Sequence, residues 1–388
     1  MHTRQQQNSG IAYPGKSRYS NPYVGIDCLS LPANFSGAAY YIYHLTRELL
    51  CQARTFPLAI FSTPEHARLF APFLQPGDKI VTVPIRNRAE KLYFYEYKLR
   101  SYLLRERVSL FYATHYICPP PHPDYKLITT FHDMGFILYP QFYPLIKRMY
   151  FRLRLKTFLL RSTHIVAVSR STADSIRQCY PDFPAERISV IYPGTDHVLI
   201  SESKSPLPLH PPPPYLLAVN SLEKRKNIPF LIRLFNHLKA AYRLPHQLLL
   251  VGTPSNGYRQ IRNEISQSPY RNDIVYSGYL PEAYLNFYYR KSDFFVNTSQ
   301  YEGFGFTPFE AIQHNCPAFL YQNNTVEEII GEHSYVFDTF SVTEWADTIY
   351  REYQDNFRNR IHKKEISHLT WEKSARQTIR LFQHLLTS

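Results

Sequence analysis

Two glutamates stand eight positions apart in the stretch SQYEGFGFTPFEA, residues 299–311, as Glu302 and Glu310. Between them, Gly303 and Gly305 can take backbone angles closed to other residues, which lets a ligand approach the main chain. Thr307, Pro308 and Glu310 then read as a helix start, with threonine at the cap and proline at the first helical position. The free amides and the positive end of such a helix attract an anion. In isolation, T-x-x-E is a capping box that would leave Glu310 structural, and Glu302 would be a solvated loop carboxylate. Together they flank one turn and can face one cleft.

A second cluster is cationic. In SLEKRKN, residues 221–227, Arg225 and Lys226 precede Asn227 and the helical pattern IPFLIRLFNHLKA. A planar fork, a point charge and a helix end in one place suit a phosphate-bearing ligand. The competing reading is a basic turn in solvent. His132 closes the apolar run KLITTF, with Asp133 beside it. No Asp-x-Asp pair occurs, so chemistry without a metal is expected, with Arg225, Lys226 and amides in the cation's place.

These residues need a scaffold, and the hydrophobic pattern supplies one. Strand-length runs such as YVGIDCLSL, FPLAIFS, HIVAVS and HQLLLVG alternate with helical patterns, which predicts α/β architecture with parallel sheets and crossover helices. The 388 residues exceed what one core usually organises. SESKSPLPLHPPPP interrupts the alternation near the middle as a stiff linker. The expected division is an N-terminal acceptor domain at 1–203, a linker at 204–214, a C-terminal donor domain at 215–370 and a terminal amphipathic helix at 371–388.

Composition narrows the partners. Lys and Arg outnumber Asp and Glu by 44 to 31, a net charge of +13, which favours nucleic acid, anionic lipid or phosphorylated substrates. The five cysteines form no C-x-x-C pair, which argues against a zinc site or disulfide framework and for a reducing, cytoplasmic compartment. No apolar run approaches the roughly 20 residues that span a bilayer, so membrane contact would be peripheral.

The glutamate stretch resembles the E-x7-E motif of retaining glycosyltransferases of the GT-B fold, group 1 class, and in its SLEKRKN turn their mannosyltransferases. TFHDMGFILYPQFYP, ERISVIYPGTD, AVNSLEKRKNIPFLIRLF and DIVYSGYLPEAYLNFYYRKSDFFVNTSQYEGFGFTPFEAI resemble further segments of that family in the same order, across roughly residues 22–340. The resemblance implies two Rossmann-like, doubly wound domains facing a cleft, with the last helix crossing back to the first. It implies a nucleotide-sugar donor as co-substrate rather than a cofactor, GDP-mannose first and UDP-glucose second. Arg225 and Lys226 would contact the diphosphate, and Glu310 the ribose. Glu302 would lie against the sugar, with Gly303, Phe304, Gly305, Phe306 and Thr307 presenting backbone, and His132 would face it across the cleft. Gly37, alone where the family carries two or three glycines, would take part from the first loop. Transfer would proceed with retention by front-face attack, to a glycan or lipid-linked saccharide of lipopolysaccharide or polysaccharide synthesis.

The stretch between Asp133 and Asp174 holds no carboxylate, while Lys147, Arg148, Arg152, Arg154, Lys156 and Arg161 alternate with apolar and aromatic residues. RNRAEKLYFYEYKLRSYLLRER repeats the theme. Such helices suit the surface of an anionic membrane, on its inner face, or else present a solvated basic side over a buried stripe. The charge and tyrosines also suit a nucleic-acid binder, which would leave the glutamate–glycine motif unexplained; a sugar-nucleotide-binding protein without turnover is the other alternative. A dinucleotide fingerprint is disfavoured, since GFGFTP lacks the third glycine.

Overall fold

The computed structural model describes residues 22–32, 35, 37–197, 214–330, 334–355 and 369–388. The linker predicted at 204–214 lies almost wholly outside the described residues. The apolar runs before it form seven parallel strands: β1 (Tyr23–Asp27), β2 (Leu58–Ser62), β3 (Lys79–Thr82), β4 (Val108–Ala113), β5 (Lys126–Phe131), β6 (His164–Ala167) and β7 (Ile188–Val190). Those after it form six more: β8 (Tyr215–Val219), β9 (Gln247–Val251), β10 (Ile274–Gly278), β11 (Phe294–Asn297), β12 (Ala318–Tyr321) and β13 (Tyr335–Phe337).

The sheet orders are β3-β2-β1-β4-β5-β6-β7 and β10-β9-β8-β11-β12-β13. Each winds outward in both directions from its first strand, so a crevice opens where neighbouring connections leave the carboxyl edge in opposite directions. These are two Rossmann-like layers, and the architecture is GT-B. Central strands such as β2 and β8 are buried along their whole length, as expected where helices cover both faces.

The two largest of the apolar clusters differ. On one face of the second sheet, Trp345 is fully buried, with its ring 5.3 Å from Phe230 and 4.2 Å from Phe337. The other large apolar cluster is continuous between the sheets and takes in Ile26, Leu217, Phe295 and Trp371. The helix Trp371–Thr387 completes it. Thr370 caps that helix by accepting from the Lys373 amide, and Phe382 packs at 5.4 Å from Tyr112 and 6.1 Å from Phe56 in the first sheet. Lys126 Nζ donates to the Leu385 carbonyl at 2.8 Å. The chain end is therefore part of the first domain's packing. Phe382→Ala is expected to cost about 3–5 kcal/mol, read as a lower denaturant midpoint for unfolding of the first domain.

Candidate functional site

The turn Lys224–Lys226 follows β8, and Asn227 takes left-handed angles (φ 48°) that redirect the chain into the helix Ile228–Tyr242. The loop after β11 holds this turn in place. Thr298 Oγ1 donates to the Lys226 carbonyl at 2.7 Å, and the Gln300 amide donates to the Arg225 carbonyl at 2.9 Å. Since β8 and β11 are neighbours, the two loops that carry the charged motifs leave the same sheet edge side by side.

Their side chains meet at Glu302, which is 8 % exposed. One of its oxygens accepts from Arg225 Nη1 at 2.7 Å and the other pairs with Lys226 Nζ. Arg225 also donates to the Tyr301 carbonyl at 2.8 Å and through Nε to Glu223 at 2.6 Å. Burial pushes the Glu302 carboxyl upward, but Arg225 and Lys226 outweigh it and hold the group at about 2. Burial, reinforced by Arg225, lowers the Lys226 ammonium against the pull of Glu302. Two cations and two carboxylates thus balance in a partly dry site.

Glu310 departs from the capping-box reading. The helix Phe306–Gln313 begins a residue before Thr307, with Gly305 at its cap in left-handed angles (φ 79°) and no side-chain cap bond. Glycine adopts that conformation without the steric cost a capping threonine would bear. Glu310 falls in the helix body, 4 % exposed, accepting from Tyr289 Oη at 2.8 Å and facing His197 Nε2 at 3.6 Å. Thr307 receives a 3.4 Å bond from Asn297 Nδ2, while Phe304 and Phe306 put their rings into packing with each other and with Phe309 and Trp371.

The first sheet supplies the opposite wall. His132 follows β5 and its Nε2 lies 2.9 Å from the Thr114 carbonyl, which can only accept, so Nε2 carries the proton and Nδ1 is an acceptor. Burial lowers its basicity and keeps the ring neutral. Gly303 sits directly against this strand end: a Cβ there would collide with the His132 carbonyl oxygen. Ser169 Oγ donates to the Gly303 carbonyl at 2.8 Å and the Met134 amide donates to Tyr301 Oη at 2.9 Å. Glu328 reaches across from the second domain to accept from the Arg170 and Ser171 amides, at 2.7 and 2.8 Å, at the start of the helix Arg170–Cys179. Asp133 Oδ1 accepts from the Gly135 amide at 2.8 Å, bracing the loop.

A cleft of about 450 Å³ lies between these walls. Arg225, Lys226, Glu302, the 303–307 backbone and Glu310 line it on one side, His132 and Gly37 on the other. Gly37, at φ 51°, precedes the helix Ala38–Cys51, and nothing lies within 4 Å of where its side chain would be. The structure thus brings Arg225, Lys226 and Glu302 into direct contact, and places Glu310 and His132 in the same cleft on separate supports.

Residues 200–378 match the family Glycosyl transferases group 1, and residues 35–199 match Glycosyltransferase Family 4. The chain is a GT-B glycosyltransferase. O-antigen chain mannosyltransferase B of Escherichia coli is 26% identical over 281 residues, 68% of this chain and 72% of the relative. O-antigen chain mannosyltransferase RfbU of Salmonella typhimurium is 25% identical over 305 residues, 75% of this chain and 80% of the relative. Sucrose-phosphate synthase from Thermosynechococcus elongatus shares the fold with a TM-score of 0.72, over 95% of this chain and 100% of that one, at 17% identity.

Two residues in or behind the cleft of this glycosyltransferase escaped sequence reasoning. The Asn220 side chain, just after β8, is buried with both polar atoms lacking partners among the described residues, and lines the cleft. His197, 2 % exposed, joins Glu310 to the rings of Tyr40, His44 and Trp371. Its only local signal is its place just before the proline-rich segment.

The charge cluster yields a test. The depressed Glu302 carboxyl contributes stability above its ordinary value of about 4.5 and loses it as pH falls toward about 2. Glu302→Gln strips the buried Lys226 and the half-buried Arg225 of their shared partner, with an expected loss of about 3–5 kcal/mol at neutral pH. Denaturant titrations should show that loss together with a flatter dependence on pH between 4.5 and 2.

Proposed function

We propose that the chain is a retaining, metal-independent hexosyltransferase. It moves mannose or a related hexose from a nucleoside-diphosphate donor, GDP-mannose first and UDP-glucose second, to a glycan or lipid-linked saccharide in lipopolysaccharide or cell-surface polysaccharide synthesis. The observation that carries this reading is the pair of cations, Arg225 and Lys226, fixed in the cleft wall opposite His132. The two O-antigen mannosyltransferases among its relatives support the choice of sugar and pathway.

In this reading the diphosphate lies against Arg225 and Lys226, whose charge is otherwise offset by Glu302. Arg225 commits Nε and Nη1 within the protein, which leaves Nη2 for an oxygen of the donor. As the glycosidic bond breaks, negative charge grows where these groups already point, so they stabilise the transition state more than the ground state. Glu302, tied to both cations, is a poor nucleophile and is better suited to accept from sugar hydroxyls. Front-face attack follows: the acceptor hydroxyl adds on the face that the diphosphate leaves, and a departing phosphate oxygen takes its proton. His132, neutral with Nδ1 accepting, orients a sugar hydroxyl from the other side. Glu310 accepts from ribose hydroxyls, and Tyr289 holds it for that purpose.

The exposed surface supports a peripheral position on an anionic membrane. Ile146 and Leu153 are 85 % and 72 % exposed on the helix Leu145–Arg161, beside Arg152 and Lys156, and Tyr97 is 68 % exposed on the neighbouring helical segment. Arg154 and Arg161 bind Glu96 at 2.7 Å and lock the two elements side by side. Among the described residues, no helix is long and apolar enough to cross a membrane. Apolar side chains interleaved with cations are the composition that partitions to an anionic interface.

Calorimetry against UDP, GDP, ADP and dTDP should show one preferred nucleotide. Lys226→Ala should lower donor turnover by about 10²–10³, and normal turnover in that variant would remove the proposal. Flotation with anionic vesicles should recover the protein at low salt and lose it at high salt; absence of binding at low salt would remove the membrane assignment.

A further inference from the structure

The chain passes between its two domains twice, after β7 and again just before the helix Trp371–Thr387, and the two crossings are tied together. The Thr195 amide donates to the Leu369 carbonyl at 2.8 Å, and Asp196 Oδ1 accepts from the Trp371 amide at 2.9 Å. Gly194 permits this approach, because a Cβ there would collide with the Trp371 amide. Both crossings also rest on the helix that carries Glu310. Gln313 Nε2 donates to Thr195 Oγ1 at 2.8 Å, and the Trp371 ring stacks on Phe306 at 6.2 Å.

His197 lies at the end of the first crossing, buried among rings: His44 at 4.8 Å, Tyr40 at 5.3 Å, Phe306 at 5.8 Å and Trp371 at 6.1 Å. Trp371 Nε1 stands 3.3 Å from His197 Nδ1. An indole N–H can only donate, so Nδ1 accepts and Nε2 carries the proton of the ring. That Nε2 is buried with no hydrogen-bond partner among the described residues. It faces Glu310 Oε1 at 3.6 Å, just beyond bonding distance, while Glu310 Oε2 accepts from Tyr289 Oη at 2.8 Å. A buried donor left unpaired is costly, so a small shift that closes this gap is favourable, and ligand-free sites commonly hold such contacts long.

We infer that His197 is a positioning residue for the donor ribose: with Trp371 fixing its tautomer, its Nε2–H holds one oxygen of Glu310 while Tyr289 holds the other. The inference rests on the reading of Glu310 as the acceptor for ribose hydroxyls. Each carboxylate oxygen keeps a lone pair beyond its internal bond, and two internal donors fix the plane of the group before the ribose arrives. A neutral imidazole suits this place. It orders the carboxylate without cancelling its charge, as a lysine or arginine would, so the oxygens remain strong acceptors. Because His197 belongs to a crossing and not to the second sheet, recognition of the ribose depends on both crossings staying docked on the helix Phe306–Gln313.

Calorimetry on the full chain tests this through the ratio of affinities for GDP and 2′-deoxy-GDP, or for UDP and 2′-deoxy-UDP, with whichever base binds tighter. Wild type should prefer the ribonucleotide by about tenfold or more. His197→Leu fills the ring-lined space without an N–H and should lower that ratio by about threefold or more. His197→Gln, whose amide restores an N–H, should return it to the wild-type value. Trp371→Phe keeps the ring and removes only the indole N–H, and should give an intermediate ratio. A merely structural role for His197 would weaken ribo- and deoxynucleotide alike, so an unchanged ratio in His197→Leu overturns the inference, as does a His197→Gln ratio no better than that of His197→Leu. Should His197→Leu not fold, the ratio in Trp371→Phe decides in the same way. Glu310→Gln separates the two claims: no preference in wild type, or one that Glu310→Gln leaves intact, defeats the ribose reading and the inference with it.

Discussion

The arrangement depends on one buried carboxylate shared by two cations. Glu302 ties the loop after β11 to the turn after β8, and without it Arg225 and Lys226 would face each other in a site too dry to screen them. The same constraint fixes both side chains along the wall of the cleft. A site assembled in advance needs little reorganisation when charge develops, which is where such preorganisation acts on rate.

The backbone around that cluster serves the same end. Left-handed angles at Asn227 and Gly305 turn the chain so that amides and charged side chains face inward while helices run away from the cleft. Gly303 permits a close approach of the two domains, because no side chain could stand between the turn and the His132 carbonyl. Local conformational freedom at a few positions thus sets the separation between the two walls of the cleft.

Much of this was legible in the residues. Alternating strand and helix patterns pointed to two parallel sheets because that alternation is a local property of burial, and each run named became a strand. The spacing of Glu302 from Glu310 around two glycines singled out the loop for a similar reason. The start of the helix was misread by two positions, at Pro308 instead of Phe306: threonine and proline carry capping signals, but the positive-φ glycine ahead of them decided the geometry. That shift moved Glu310 out of a capping role and into contact with Tyr289 and His197. His197, Tyr289 and Asn220 were not legible, because what places them is packing between segments far apart in sequence.

Glu328 reaches from one domain to cap a helix of the other, taking two main-chain amides. When the domains part, water can replace each of those bonds at small net cost. Such a latch selects a single docking angle while adding little to the work of separation. Any hinge between the two sheets would have to break and remake this pair of bonds.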